Sequence, residues 1–196
     1  MAVVSIKNKL RRGNLLAGND PYIPTDFESI ATVTVGGGGA ASAAFTSISS
    51  DYNHLQIRCI ARYAGTAYNN LLGEFNGDTT YTNYRWHYLV GDGSSVAAGD
   101  VQSSGAKLSM GLVAGTAQTA GVFAAQVIDI LDYKNTNKYK TIRVLNAMDN
   151  NGSGEIRLVS GLWMNTNAIT SITLTAQGGN NFAQYSHFAL YGIKGA

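Results

Sequence analysis

Residue types able to do chemistry are few and scattered in this chain of 196 residues. The histidines, His54, His87 and His187, stand far apart, and neither an HxH nor an HExxH spacing gathers two of them, so no zinc site is expected. Cys59 is the single cysteine, which excludes an intrachain disulfide and a cysteine metal cluster and reads as a small buried hydrophobe. Gly91 to Gly93, followed by Ser94 and Ser95, lacks both the G-x-S-x-G spacing and the strand-turn-helix context of a nucleophile elbow. The glycine runs also lack the lysine of a phosphate loop and the helix of a dinucleotide site. Asp149, Asn151, Ser153 and Gly154 imitate the first half of a calcium loop, but the position that needs a bidentate glutamate is Ser160. A hairpin turn accounts for the same residues. Glycoside cleavage needs two converging acids, and spacing singles out no pair among Glu74, Asp78, Asp129 and Asp132. The residues therefore predict no catalytic group, no cofactor and no metal: a protein that is not an enzyme.

Two stretches carry recognition chemistry instead. In YTNYRWHYL, Tyr81, Tyr84, Trp86 and Tyr88 stand beside Arg85 and His87, and strand alternation puts Tyr84, Trp86 and Tyr88 on one face. Such a face either packs in a core or subunit interface, or forms a platform on which sugar rings stack while nearby polar groups hold hydroxyls. Tyr81, Tyr84, Arg85, Trp86 and Tyr88 form the candidate glycan or partner surface.

The second stretch, IKNKLRRGNLLAGNDPYIP, runs from Ile6 to Pro24. Up to Thr25 the chain has four basic residues and one acid, or +3; the remainder has ten basic and eleven acidic residues, or −1. A nearly neutral body leaves no footprint for nucleic acid, and four basic residues give at most a weak, salt-sensitive contact with phosphates. Leu10, Leu15 and Leu16 suit pockets on a neighbouring protein, and Lys7, Lys9, Arg11 and Arg12 suit its acidic rim. Pro21 and Pro24 hold the exit extended. The expected organisation is an attachment arm over residues 1–25 and a single domain over 26–196; the competing reading of the arm is a tail with no partner.

The elements that must position these residues are strands. Only 13% of residues are charged, about half the usual share, while there are 23 glycines and 11 tyrosines. In HLQIRCIAR, Leu55, Ile57, Cys59 and Ala61 point one way and Gln56, Arg58 and Arg62 the other, with Ile60 the exception on the polar side. Similar segments near 29–35, 43–48, 71–76, 84–90, 107–112, 122–132, 139–145, 155–164, 169–175 and 186–193 predict further strands. They are separated by FNGD, GDGSS, DNNGSG and QGGNN, residues that tolerate the backbone of tight turns. The stretch 91–106 reads as a mobile surface loop. No helical period separates the strands, which predicts an all-β fold: an antiparallel two-sheet β-sandwich, jelly-roll-like, with an extended N-terminal arm. No run approaches the length of a membrane span, so no membrane insertion is expected, and charge interrupts the first residues too often for a signal peptide.

The ordered series ESIATVTVGGGG, HLQIRCIAR, FNGDTTYTNYRWHYLVGDGSS, VIDILDYKNTNKYKTIR, NGSGEIRLVSGLW, ITSITLT and NFAQYSHFALYGIKG resembles a β-sandwich domain of tailed bacteriophages, described as a tail-fibre or virion structural protein. The similarity runs from about Phe27 to Gly195. It implies a protein localised to the virion and assembled in the host cytoplasm. It further implies a homotrimer that docks onto other virion proteins of the tail or capsid and presents its far end to a host-surface glycan. The chain lacks a long shaft, so a short tail appendage or a capsid decoration or head-fibre protein fits better than an extended fibre. A carbohydrate-binding module and a carbohydrate-active enzyme are the competing classes.

Overall fold

In the computed structural model, the structure describes residues 2–5, 26–103 and 105–194. Lys7, Lys9, Leu10, Arg11, Arg12, Leu15 and Leu16, assigned to the attachment arm, lie outside the described residues.

Among the described residues, thirteen strands make two antiparallel sheets. In chain order they are β1 (Ala2–Ser5), β2 (Phe27–Val35), β3 (Ala43–Phe45), β4 (His54–Ala61), β5 (Asn69–Phe75), β6 (Tyr84–Gly91), β7 (Val96–Gln102), β8 (Leu108–Val113), β9 (Ala124–Ile130), β10 (Lys140–Asp149), β11 (Gly154–Trp163), β12 (Ile172–Ala176) and β13 (His187–Ile193). The larger sheet has the order β1-β2-β13-β4-β9-β10-β11-β6-β7, and the smaller one β3-β12-β5-β8. β1, within the span expected to be an arm, runs antiparallel along β2.

Eight strands, β2, β3, β4, β5, β8, β9, β12 and β13, wrap as a jelly roll: β2-β13-β4-β9 in one sheet face β3-β12-β5-β8 in the other. Two hairpins, β6–β7 and β10–β11, are additions that widen only the larger sheet. The predicted sandwich is the observed one. Period-two alternation explains its core, since β10 buries every second residue along its whole length, from Lys140 to Met148. Leu55, Ile57, Cys59 and Ala61 point inward as expected, and Ile60 stands out in solvent.

The stretch 91–106 departs from expectation. Instead of a mobile loop it contains β7, paired with β6 from Arg85–Gln102 to Gly91–Val96. Its small residues hide the strand signal, but the turn before it is tightly tied. Asp92 accepts hydrogen bonds from the backbone N–H groups of Ser94 and Ser95 at 2.9 and 2.7 Å and from both hydroxyls at 2.9 Å. These bonds hold its carboxyl well below the usual range.

The suspected calcium half-loop is the β10–β11 hairpin turn. Asp149 accepts the Asn151 N–H at 2.8 Å, and Asn150 N–H bonds the Ser153 carbonyl at 2.7 Å. At Gly154, with φ of 147°, a Cβ would sit 2.2 Å from the Met148 carbonyl oxygen, so this turn demands glycine.

Cys59 is buried, its Sγ donating to Gln126 Oε1 at 2.9 Å, and burial pushes its thiol pKa up. The native protein is therefore expected to be inert to an aromatic disulfide reagent, and the urea-unfolded chain to titrate as a single thiol. Rapid reaction without denaturant would show that β4 opens locally.

Candidate recognition cleft

β6 alternates Tyr84, Trp86, Tyr88 and Val90 toward the smaller sheet and Arg85, His87 and Leu89 toward solvent. The smaller sheet covers only the start of the strand. Tyr84 is fully buried there, its ring 6.4 Å from that of Phe75 on β5, with its hydroxyl donating to the Asp78 carbonyl at 3.0 Å. Burial raises the Tyr84 hydroxyl pKa. Its place in the candidate surface is thus corrected: β5 packs over it, and it is core.

Beyond that point the added hairpin overhangs, and Trp86 and Tyr88 remain partly open. They line a cleft of about 400 Å³ together with Val101 on the β7 side and Asn70, Arg157 and Gln177 on the other. Two glycines shape its floor. A Cβ at Gly99 would lie 2.7 Å from the Tyr88 ring, so glycine lets that ring settle against β7. At Gly161, opposite Trp86 on β11, a Cβ would meet Leu108 at 2.5 Å, so glycine lets β8 approach the larger sheet.

The polar wall is a connected set. Arg157 Nη1 donates to Asn70 Oδ1 at 3.2 Å, Asn70 Nδ2 donates to Gln177 Oε1 at 2.7 Å, and Ser109 Oγ reaches Asn70 Oδ1 at 3.3 Å. The Arg157 guanidinium lies 5.4 Å from the Tyr88 ring centroid and pairs with Glu155 at 2.8 Å. That pairing cancels its charge, so the cleft offers aromatic faces, amides and a compensated guanidinium: the chemistry for a neutral, hydroxyl-rich ligand.

Among the expected surface residues, then, only Trp86 and Tyr88 come together here. Tyr81 is exposed on a single 3₁₀ turn before β6, and Arg85 points to the opposite face of the sheet. There Arg85 grips Asp100 with both Nε and Nη2, which removes it from the cleft as a second correction. Alternation alone already separates Arg85 from Trp86. By contrast, Asn70, Arg157 and Gln177 carry no local signal, because strand pairing brings them from β5, β11 and the end of β12.

Elsewhere the titratable groups are dispersed. His54 Nδ1 accepts the Asp132 N–H at 2.9 Å, His187 Nδ1 shares a hydrogen bond with Thr34 at 3.0 Å, and His87 lies 3.4 Å from Asp100. Three of the four acids weighed for glycoside cleavage are engaged separately: Asp129 with Arg143 and Gln56, Asp132 with Lys138, and Asp78 with Trp163 and Asn83. Among the described residues no three metal-ligating side chains cluster.

Fold and site together define a jelly-roll β-sandwich protein with an aromatic cleft under an overhanging hairpin. No protein-family model, curated protein or solved structure matches the chain.

Proposed function

We propose that the protein is a structural component of a tailed-bacteriophage virion, a short tail appendage or tail-fibre-type protein displayed as a homotrimer, which attaches to a host-surface glycan. On this reading residues 1–25 attach it to other virion proteins and the sandwich faces the host. The observation that carries glycan attachment is the cleft itself: two partly open aromatic rings opposite a wall of amides, with the single guanidinium neutralised by Glu155. Flat apolar rings match the C–H faces of sugars, while Asn70 and Gln177 match their hydroxyls.

The test is titration of the full-length protein with host-surface polysaccharide and its neutral oligosaccharides, monitored by calorimetry and Trp fluorescence. Trp86→Ala should lower affinity about five- to twelvefold, since losing one stacking ring costs on the order of 1–1.5 kcal/mol. An unchanged affinity in a folded Trp86→Ala protein would sink the cleft as the binding site. A wild-type protein that joins particles yet binds no glycan would point to capsid decoration instead.

A further inference from the structure

The eight-strand jelly roll needs neither of the hairpins that widen its larger sheet, and their outward side carries most of the exposed aliphatic side chains among the described residues. Leu145, Leu158 and Leu89 face one another in direct register across β10, β11 and β6. Ile156 follows two residues before Leu158 on β11, opposite Gly91, which pairs in turn with Val96 on β7. The missing side chain at Gly91 contributes to a groove of about 260 Å³ in this band. Ile60, the residue that breaks the polar alternation of β4, aligns with Ile156 through Ala125 and Ala147. All six aliphatic residues keep 45–76% of their surface exposed.

The size of this band is informative. Six large side chains open to this degree uncover on the order of 600 Å², the upper end of what a monomer's largest apolar patch shows. A stable interface takes about 800 Å² from each partner, so the band supplies most of one.

Its charge surroundings point to the occupant. The ionised side chains directed outward along β4, β6, β7, β9 and β10 are Arg58, Arg85 and Arg143 against Asp100, Asp129 and Asp149, three of each sign. Arg143 pairs with Asp129 at 2.8 Å, and Arg85 grips Asp100. A face neutralised within the chain exerts no field to select an oppositely charged partner, and it does not repel its own copy. The other exposed large hydrophobics among the described residues are mostly tyrosines, so the surface that best matches an aliphatic band is the same band on another molecule.

We infer that this band is the self-association face of the protein, where equivalent residues of two or more copies meet around the symmetry axis. The inference stands on the surface alone and needs neither a virion nor a glycan. The band lies on the other side of the sheet from Trp86 and Tyr88, so association leaves every cleft open and presents several in one assembly.

Light scattering after size exclusion, on the full-length protein over a dilution series, tests this. The wild type should have the mass of a closed oligomer, whether two or three copies, and Leu158→Arg should have the mass of one chain with an unchanged far-ultraviolet circular dichroism spectrum. A monomeric wild type overturns the inference, as does a folded Leu158→Arg protein of undiminished mass. Should Leu158→Arg fail to fold, Leu158→Ala should still weaken association about tenfold in sedimentation equilibrium. An unchanged association constant in that variant would equally overturn it.

Discussion

Replacing Asp78 by alanine should cost about 3 kcal/mol of folding stability in urea unfolding at neutral pH, because its carboxylate accepts several hydrogen bonds, one of them from a buried indole. Its Oδ2 takes the Trp163 Nε1–H and the Asn83 amide, each at 2.8 Å, and Oδ1 takes the Thr80 N–H at 2.9 Å. Trp163 has no exposed surface and packs 5.4 Å from Phe75, so without Asp78 its N–H is left in the core with no acceptor. The preceding residues tie the same corner. Asn76, in the left-handed region at φ 54°, accepts the N–H groups of Thr170 and Ser171 at 2.8 and 3.1 Å and donates to Ala168 at 2.8 Å. FNGD thus pins the β5–β6 turn to the β11–β12 connection, and its role is structural.

The same carboxylate makes a signed pH prediction. Partial burial pushes its pKa up, but the hydrogen bonds from Asn83, Thr80 and Trp163 outweigh that and bring it down to about 2, below the ordinary aspartate value of 3.8. A folded pKa below the unfolded one means the stabilisation is present above about pH 4 and is lost as pH falls through about 2. Other carboxylates titrate there too, so the diagnostic quantity is the difference between wild type and Asp78→Asn, which should shrink from pH 5 toward pH 2. A difference that stays constant with pH would contradict the assignment.

Lys140→Met should have an effect of similar size. Lys140 opens β10 with no exposed surface, and its ammonium donates to the carbonyl oxygens of Asn135, Lys138 and Thr166 at 2.6, 2.9 and 3.0 Å. It gathers the β9–β10 turn and the start of the β11–β12 connection around one charge. Methionine keeps the apolar stem but leaves three carbonyls without that donor, against the relief of no longer burying an ammonium. The net loss should be about 2–4 kcal/mol, which lowers Tm by roughly 5–15 °C in a protein of this size. A variant melting with the wild type would mean that water replaces the amine at no cost.

Most of the strands are legible in the residues because alternation is a local property. HLQIRCIAR and the segment 140–149 write their inward and outward faces into consecutive positions, and Asn-Gly and Gly-Gly pairs mark the turns between them. β7 is not legible, since VAAGDVQ is built of small residues and is a strand chiefly because β6 lies beside it. Of the candidate surface, Trp86 and Tyr88 are readable as aromatics sharing a face, but nothing local says that Tyr84, two residues earlier, would be covered by β5. Ile60 shows the same limit: it looks like a flaw in an alternating strand until Ala125, Ala147 and Ile156 are aligned beside it.

By itself, then, the order of residues determines that this chain is a sandwich of alternating strands, that its cysteine is buried and that its aromatic strand presents three rings to one side. These follow from periodicity and from the chemistry of turns, which act over a few residues. Tertiary structure alone decides that the strands wrap as a jelly roll, that two hairpins overrun the smaller sheet, and that one ring is core while two floor a cleft walled by Asn70, Arg157 and Gln177. It also decides that scattered aliphatic residues become one exposed band. The reason is that register and sheet order join residues more than 100 positions apart, as with Asn70 and Gln177 at 2.7 Å, and no pattern within a strand records which other strand will lie next to it.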